Sequence, residues 1–459
     1  MAHVTPEKAS AAETPWPDAY RVFRYVSCQI VEHRAVFNYE LVGESDSLKF
    51  TETVDFIPPR LAPSPQRAEA FQRVVELLYL VAGISYYKVA APPRIEICSV
   101  STPAAVEAYL RNLYAHGLAE YAFRNNLPRA LRPDFVASHR EATLPLELPA
   151  LSRHPLVPVG GGKDSVVTVE LLRQAGVAPV LFSVNPNQVM RNVVAVAGTP
   201  MLEAKRTVDQ QLFKLNELGA YNGHIPVTAI NSLISVATAV LHGLGPVVMS
   251  NERSASSANL TWEGQEINHQ WSKGLDAERE LAQVLVYCVG RGVGYFSLLR
   301  PLSELHIARI FAKNTAYDAV FTSCNAVFKL RNAATTWCGN CPKCRFVFLA
   351  LAPFMTRERL IGIFGTNLLS DATQLPGYRE LIGLTGQKPF DCVGEIEESL
   401  VALQLVAESV AWKNDVVVQQ LVSEVPATRI PTAETITGVF TPSTDHLIPA
   451  EYTKALPCV

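Results

Sequence analysis

The sequence lacks any uninterrupted apolar stretch that approaches the ~20 residues of a membrane-spanning helix. Its first residues, MAHVTPEKASAAETPWPD, contain no hydrophobic core of the kind that a signal peptide requires. We therefore expect a cytoplasmic protein with no membrane partner. With 459 residues, of which 48% are hydrophobic, the chain is long enough for two domains that each bury a core.

An excess of charge of one sign is also missing. The formal net charge is −3, and the sequence has no long run of lysine or arginine. Proteins that bind nucleic acids generally present strongly basic surfaces, because they must neutralise phosphates. We therefore predict no nucleic-acid partner.

The chain does contain a glycine turn, VPVGGGKDS, at residues 157–165. Glycine adopts backbone angles that side chains forbid, so consecutive N–H groups can converge on an anion. We predict that Asp164 or Ser165 caps a helix that is apolar on one side and ends at Gly176. The positive end of this helix would favour a phosphate. The alternative interpretation is a flexible turn without a ligand.

Spacing excludes two familiar phosphate-binding motifs. Aspartate, and not serine or threonine, follows Lys163, and no third glycine completes a dinucleotide fingerprint. The turn resembles the Ser-Gly-Gly-x-Asp-Ser signature of the PP-loop ATP pyrophosphatases, with glycine at the position of the first serine. The resemblance implies cleavage of ATP between its α and β phosphates and adenylation of a substrate. The candidate phosphate-binding residues are Gly160, Gly161, Gly162, Lys163, Asp164 and Ser165.

Apolar strand patterns alternate with helical patterns after the glycine turn. This alternation predicts an α/β fold with a doubly wound parallel sheet, and the PP-loop resemblance implies the adenine nucleotide alpha hydrolase-like form. Ligands of such sheets bind beyond the carboxyl ends of the strands. The polar residues that follow the strands are therefore candidate nucleotide contacts, although ordinary turns have the same composition. The predicted strands are 177–185, 225–230, 245–251 and 317–324, and the candidate contacts are Asn185, Ser250, Asn251 and Arg253.

The N-terminal region has a different pattern. The runs VFRYVSCQIVEH and AVFNYELVG predict an antiparallel ribbon, and helical periodicity follows at residues 68–81 and 103–118. Residues 127–155 are rich in proline and are predicted to form a linker. The predicted parts are an N-terminal α+β accessory domain with its linker at 1–150, a PP-loop catalytic domain at 151–422, and an extended or partly disordered Pro/Thr-rich tail at 423–459.

A dense polar stretch, WEGQEINHQWSK, occupies residues 262–273. His269 is a candidate for proton transfer near neutral pH. Lys273, together with Arg253, is a candidate phosphate ligand. Either Glu263 or Glu266 is suited to bind Mg²⁺ or to act as a base. A solvated loop without a catalytic role is the alternative interpretation.

Four cysteines have the spacing of a metal site. Cys324 precedes Cys338, Cys341 and Cys344, which form a C-x-x-C-x-x-C run. Four thiolates complete a tetrahedral Zn²⁺ site of the closed, structural kind, and an iron–sulfur cluster or free thiols are the alternatives. Disulfides are disfavoured because no secretion signal accompanies the cysteines. Cys28 and Cys98 are predicted to be small core residues. Cys288, Cys392 and Cys458 are predicted to be structural or incidental.

A glycine loop followed by a cysteine knuckle resembles the deazaguanine-nitrile synthases of tRNA-base biosynthesis, which are shorter chains. A closer resemblance covers most of the chain. The ribbon VFRYVSCQIVEHRAVFNYELVG, the segments VPVGGGKDS, PVLFSVNP, VVMSNERSAS and EINHQWSKG, and the CGNCPKC run resemble the UDP-N-acetylmuramoyl-L-alanyl-L-glutamate epimerase family, MurL. That resemblance implies inversion of the terminal L-Glu of a UDP-linked muramoyl dipeptide to D-Glu in peptidoglycan precursor synthesis. The reaction would require ATP and Mg²⁺ and would release AMP and pyrophosphate.

The implied chemistry explains the need for ATP, because adenylation removes the carboxylate charge that opposes deprotonation of the α-carbon. The cysteines are either assigned to zinc or lie in apolar surroundings, so we predict that the bases are histidine, lysine or carboxylate. One alternative is a PP-loop ligase or tRNA-base modifier that traps the adenylate with a nucleophile. Another is a binding module without ATP turnover.

Overall fold

The computed structural model describes residues 17–137, 144–148, 152–328, 336–386 and 388–457. In these ranges the strands are β1 (Tyr20–Val31), β2 (Arg34–Gly43), β3 (Ser47–Phe56), β4 (Arg94–Ile97), β5 (Asp134–Ala137), β6 (Leu146–Glu147), β7 (Leu156–Pro158), β8 (Val180–Val184), β9 (Met201–Thr207), β10 (Val247–Met249), β11 (Leu260–Trp262), β12 (Gln265–Ile267), β13 (Gly290–Arg291) and β14 (Tyr295–Ser297). The α-helices are α1 (Pro65–Ala82), α2 (Ile84–Tyr87), α3 (Ala104–Gly117), α4 (Ala119–Asn125), α5 (Lys163–Gln174), α6 (Gln188–Ala197), α7 (Gln211–Glu217), α8 (Val227–His242), α9 (Leu275–Cys288), α10 (Glu304–Phe311), α11 (Pro342–Leu351), α12 (Arg357–Phe364), α13 (Leu375–Leu381), α14 (Ile396–Glu408), α15 (Val416–Glu424) and α16 (Ala433–Phe440). Short 3-10 helices lie at Pro17–Ala19, Pro128–Leu131, Arg253–Ser256, Trp271–Lys273, Thr315–Tyr317, Ala372–Gln374, Ala427–Arg429 and Ala450–Ala455.

Within the described residues, ten strands form one mixed sheet in the order β14-β10-β7-β8-β9-β3-β2-β1-β4-β5. Neighbouring strands from β14 to β9 are parallel. The ribbon β1–β2–β3 and its junction with β9 are antiparallel, whereas β4 and β5 continue parallel to β1. The predicted α/β sheet is thus confirmed in its coarse form, and its membership of the PP-loop superfamily stays a prediction.

Both faces of the parallel strands are buried, which explains their continuous apolar sequences. Leu156 packs into one core together with residues of α1 and α8, and the next residue, Val157, packs into a second core with residues of α5. Leu181 and Phe182 of β8 alternate in the same way. Side chains point to opposite faces at successive positions of a strand, so helices cover the sheet on both sides.

The N-terminal ribbon and helices occur where the sequence predicted them, but the region extends the central sheet. Strand β3 pairs with β9, so that Val54 lies opposite Arg206. One core contains residues from both sides of the predicted boundary near residue 150. A separate accessory domain is therefore not confirmed, and the predicted limits of the other parts stay predictions.

Two predicted strands are wrong. Residues 225–230 enter helix α8, because their apolar run continues along one long buried helix to His242. Residues 317–324, all described, contain turns and no strand. Short apolar runs without a clear period do not distinguish a buried helix or loop from a strand.

The C-terminal residues pack against the second core and contain helical segments, whereas the sequence predicted an extended wrap or a partly disordered tail. Helix α16 places Val439 in this core, and Ile448, Tyr452 and Ala455 follow it there. The ring centroid of Tyr452 lies 5.1 Å from that of Phe296 in β14. Within the described part of the chain, none of the helices has the length and apolarity needed to cross a membrane.

A buried ion pair joins the two halves of the sheet. Nε and Nη2 of Arg206 donate to the two carboxylate oxygens of Glu52 at 2.7 and 3.1 Å. Nη2 also donates to Ser85 at 2.9 Å. The two-point geometry satisfies both charged groups at the junction of β3 and β9.

Glu52→Ala is expected to lower stability by about 3–5 kcal/mol, because it leaves the guanidinium of Arg206 buried without its carboxylate. Asp55→Ala is the matched control on the same strand, since it removes an ion pair with Arg34 that is largely exposed. The control is expected to cost at most about 1 kcal/mol. Thermal unfolding measures both variants, and equal losses of Tm would contradict the assigned role of Glu52.

Candidate active site and metal centre

The glycine turn leads from strand β7 directly into helix α5. Gly162 is the residue before the first helical turn, and no side chain caps this end. The predicted capping role of Asp164 or Ser165 is therefore wrong; the hydroxyl of Ser165 instead donates to the carbonyl of Gly162 at 3.1 Å. The first N–H groups of a helix have no partners within it, so this end of α5 retains the donors that an anion would use.

Two glycines of the turn have different constraints. Gly161 has φ +85°, and a Cβ atom there would lie 2.8 Å from Cγ1 of Val189. Its position therefore requires glycine. A Cβ atom on Gly160 would meet nothing within 4 Å, so this position has space for the serine of the PP-loop signature.

The turn opens into a cavity of about 490 Å³ at the carboxyl ends of the parallel strands. This volume lies in the ordinary range for small-molecule sites, about 300–1,000 Å³. Polar side chains or backbone in its wall come from the glycine turn, the start of α8, the segment after β10, the 3-10 helix that ends at Lys273, the cysteine segment (residues 322–328 and 336–344) and the loop that contains Cys392. These residues include Gly160, Gly162, Asp164, Ser165, Thr228, Asn231, Ser235, Ser250, Asn251, Lys273, Ser323, Asn325, Lys343 and Cys392.

Lys163 does not point into this cavity. Its side chain is 1% exposed and pairs with Asp164 and Glu304. Burial alone would lower the pKa of Lys163, but Asp164 and Glu304 raise it, so Lys163 remains a cation. Its predicted phosphate contact is not supported by this geometry. The lysines that do line the cavity are Lys273 and Lys343, and the second of these was missed because it lies inside the cysteine run.

Three carboxylates converge beside the turn. Asp164, Glu252 and Glu304 each offer an oxygen, and these oxygens lie within 4.8 Å of one another. Oxygen ligands of this kind suit Mg²⁺. Only Asp164 of the three also lines the cavity, so it is the carboxylate of this cluster that a ligand in the cavity would meet.

Four other predicted site residues lie away from the cavity wall. Glu263 and Glu266, the predicted bases, are exposed side chains of the β11–β12 hairpin. Asn185 is exposed and exchanges hydrogen bonds with the backbone of Arg206. Arg253 donates to the carbonyl of Thr441 at 3.1 Å, so its guanidinium stabilises the C-terminal segment.

His269 and Lys273 lie close to a residue that the sequence analysis set aside. Nζ of Lys273 is 3.1 Å from Sγ of Cys392. His269 interacts with the same thiol and, through Nδ1, donates to Glu120. Cys392, which was expected to be structural or incidental, lines the cavity. No sequence signal linked Glu120 or Cys392 to this site, because tertiary contacts alone bring them to His269.

The predicted cysteine ligands converge on one point. Their sulfur atoms all lie within 4.8 Å of one another. The Cys324–Cys341, Cys338–Cys344 and Cys341–Cys344 sulfur separations are 4.0, 3.7 and 3.4 Å. A tetrahedral zinc site with Zn–S bonds of about 2.3 Å separates its sulfurs by about 3.8 Å, whereas a disulfide requires about 2.05 Å.

The backbone around the cysteines is arranged for thiolates. The N–H of Cys338 donates to the sulfur of Cys324 at 3.4 Å, and the N–H of Cys344 donates to the sulfur of Cys341 at 3.4 Å. Such donors stabilise negative sulfur. The geometry and the donor set fit a four-cysteine metal site.

Two family models and three curated relatives match most of this chain. The model of the MurL N-terminal domain matches residues 15–298, and that of the MurL C-terminal domain matches residues 320–436. Three curated relatives are named UDP-N-acetyl-alpha-D-muramoyl-L-alanyl-L-glutamate epimerase. The relative from Micromonospora sp. is 54% identical over 441 residues, which cover 96% of this chain and 98% of its own.

The other two relatives are from Salinispora tropica and Xanthomonas oryzae pv. oryzae. The first is 53% identical over 439 residues, with 96% of this chain and 95% of the relative covered. The second is 42% identical over 430 residues, with 93% and 95% covered. Together with the cavity and its ionisable groups, these names define an enzyme of the isomerase class. The chain belongs to the MurL family.

Gly161→Ala is expected to lower stability by about 1–3 kcal/mol, because the substitution combines a positive φ with a close approach to Val189. Gly160→Ala is the matched control in the adjacent position, and the open space there predicts a change within about 0.5 kcal/mol. Thermal unfolding of the ligand-free protein measures both. A smaller loss for Gly161→Ala than for Gly160→Ala would contradict the geometry of the turn.

Proposed function

We propose that this chain catalyses ATP-dependent epimerisation of the terminal L-Glu of UDP-MurNAc-L-Ala-L-Glu to D-Glu, with release of AMP and pyrophosphate. The names of the three relatives support the substrate and the stereochemical change. The observation that carries the ATP dependence is the junction of the glycine turn with α5, which opens into the same cavity as Lys273 and Lys343. Dependence on ATP also suits the cytoplasmic location predicted from the sequence.

The phosphates of ATP occupy the glycine turn in this proposal. The N–H groups at the start of α5 bind the pyrophosphate portion, and the ammonium groups of Lys273 and Lys343 compensate its charge. Ser165 and Asn251 add neutral polar groups to the same wall. The substrate carboxylate attacks the α-phosphorus, the bond to the β-phosphate oxygen breaks, and pyrophosphate leaves.

Adenylation prepares the α-carbon for inversion. Deprotonation beside a free carboxylate would place a second negative charge on an anion, which raises the barrier. The acyl-adenylate is uncharged at the acyl group, so the electron pair from the C–H bond can move to the carbonyl oxygen as an enolate. Return of a proton from the opposite face followed by hydrolysis yields D-Glu and AMP.

Two metal ions are part of the proposal. Asp164 would contact Mg²⁺ that accompanies ATP, where the ion would balance phosphate charge. Cys324, Cys338, Cys341 and Cys344 would hold a structural Zn²⁺ that fastens the loop at Cys324 to helix α11. The zinc supplies stability only, since four thiolates leave no open position for substrate.

Incubation of the protein with ATP, Mg²⁺ and UDP-MurNAc-L-Ala-L-Glu in deuterated water tests the function. We expect AMP and pyrophosphate in the medium and D-Glu with deuterium at the α-carbon, detected by chiral analysis and mass spectrometry. Retention of L-Glu, or incorporation of nitrogen into the product, would overturn the proposal. Omission of ATP is the control and should leave L-Glu unchanged.

Asp164→Ala and Ser165→Ala are expected to reduce AMP formation by at least about 100-fold with the fold retained, because both residues line the proposed phosphate site. Glu263→Ala is the matched control for removal of a carboxylate. Its side chain is exposed on the β11–β12 hairpin, so its turnover should equal that of the unchanged protein. Normal AMP formation in both cavity variants would refute the assignment of the glycine turn to ATP.

Purified protein is expected to contain about one Zn²⁺ per chain, and Cys344→Ser is expected to lower this content and the Tm together. Cys288→Ser is the control, because Cys288 lies outside the four-cysteine cluster. Elemental analysis and thermal unfolding provide the two measurements. Iron in place of zinc, or full zinc content in Cys344→Ser, would refute this metal assignment.

A further inference from the structure

Three ionisable side chains from distant parts of the chain meet beside the cavity. Glu120 lies on α4, His269 follows β12, and Cys392 precedes α14. Nδ1 of His269 donates to Glu120, and His269 interacts with the thiol of Cys392. A carboxylate that orients an imidazole beside a thiol is an arrangement that enzymes use to activate sulfur. Of these three residues, Cys392 lines the cavity.

A cation holds the sulfur from a second direction. Nζ of Lys273 lies 3.1 Å from Sγ of Cys392, and both residues line the cavity with Asp164 and Ser165. The backbone of Cys392 is fixed as well, because its carbonyl accepts a hydrogen bond from Lys343. The thiol is therefore held in the wall of the same cavity that contains the proposed phosphate site.

The charges around Cys392 favour the thiolate. Burial alone would raise the pKa of Cys392, but Lys273, His269 and Lys343 lower it to about 6. Burial lowers the pKa of His269, whereas Cys392 and Glu120 raise it to about 9. The pair is thus a thiolate and an imidazolium at neutral pH, which is the reactive form of a cysteine. By contrast, burial raises the pKa of Cys288 to about 11.

We propose that Cys392 is a catalytic base of the epimerisation and removes the α-proton of the activated glutamate from one face of the α-carbon. Lys273, His269 and Glu120 are positioning residues that hold the sulfur and keep it ionised. This inference rests on the proposed function, because it requires the acyl-adenylate as the carbon acid. The proposal also changes the role of His269. The sequence predicted that His269 transfers a proton at the α-carbon, but His269 is not among the described residues that line the cavity.

The bond between the α-carbon and its proton breaks, the proton forms a bond to Sγ, and the electron pair moves to the carbonyl oxygen. The electron pair then returns from the oxygen to the α-carbon, which takes a proton from water on the opposite face; this sets the D configuration and leaves hydroxide. The thiol gives its proton to this hydroxide and is again a thiolate. A second water attacks the carbonyl carbon, the bond to the AMP oxygen breaks, and the proton of this water passes to solvent. No oxidant or reductant is required.

Cys392→Ala in the full chain tests this role, with Cys288→Ala as the control thiol. In deuterated water with ATP, Mg²⁺ and the muramoyl dipeptide nucleotide, deuterium incorporation from the L-substrate is expected to fall by at least about 100-fold in Cys392→Ala. Exchange of labelled pyrophosphate into ATP, which reports adenylation alone, is expected to fall by less than about tenfold. Cys288→Ala should match the unchanged protein in both assays.

Four other results would contradict either the base role of Cys392 or the proposed function. Deuterium incorporation at the normal rate in Cys392→Ala would overturn the base role. Loss of pyrophosphate exchange in Cys392→Ala to the same extent as deuterium incorporation would also overturn it, because the residue would then serve binding or folding. An acyl group on Cys392, found by mass spectrometry of the unchanged enzyme, would replace the base role with a nucleophilic one. Absence of pyrophosphate exchange in the unchanged enzyme would instead refute the proposed function.

The positioning residues are tested by the reactivity of the thiol. The main charged groups around Cys392 are Lys273, His269 and Lys343, with Glu120 paired to the imidazole. His224 lies against His269 with a ring-centroid distance of 4.4 Å, and burial lowers its pKa to about 4, so it is neutral over the range of this test. Alkylation of Cys392 by iodoacetamide, followed by peptide mass spectrometry, should have a midpoint near pH 6. Because a thiolate that loses a neighbouring cation has a higher pKa, His269→Asn and Lys273→Met should move the midpoint to higher pH. An unchanged midpoint in both variants would refute their positioning role.

Discussion

The geometry of the cavity depends on one buried carboxylate, Glu304, at the start of α10. Glu304 pairs with Lys163 of the glycine turn and lies 3.8 Å from Lys343 of the cysteine segment. A carboxylate that is 1% exposed would be costly to bury without cations. The contact therefore fixes three separate parts of the chain relative to one another. It also explains why Lys163 of the glycine turn is buried against Glu304, whereas Lys343 of the cysteine segment lines the cavity.

The cysteine cluster contributes to the same arrangement. Lys343 lies between two of its cysteines, and the N–H of Thr322 donates to the carbonyl of Gly161 at 3.0 Å. The cysteine segment thus touches the glycine turn through the backbone and reaches the cavity through a side chain. A structural metal at this point would order part of the cavity wall, because the four cysteines and the lining residues Ser323, Asn325 and Lys343 belong to one segment.

Periodic patterns predicted four elements of the N-terminal region. The ribbon of β1 and β2 and helices α1 and α3 occur where alternation or helical spacing indicated them. Residues 225–230 were misread because a short apolar run suits both a buried strand and a buried helix. The pairing of β3 with β9, which merges the predicted accessory region with the central sheet, has no local signal. Pairing of strands that are 150 residues apart is decided by packing on both faces of the sheet.

The sequence by itself determined the elements whose chemistry depends on near neighbours: the glycine turn before α5, the spacing of the four cysteines and the resemblance to the MurL family. Only the tertiary structure decided which side chains face the cavity. It directed Lys163 toward Glu304, placed Glu263 on an exposed hairpin and brought Cys392 to Lys273. Local sequence carries backbone preferences and ligand spacing over a few residues, whereas the environment of an ionisable group depends on burial and charges contributed by remote segments.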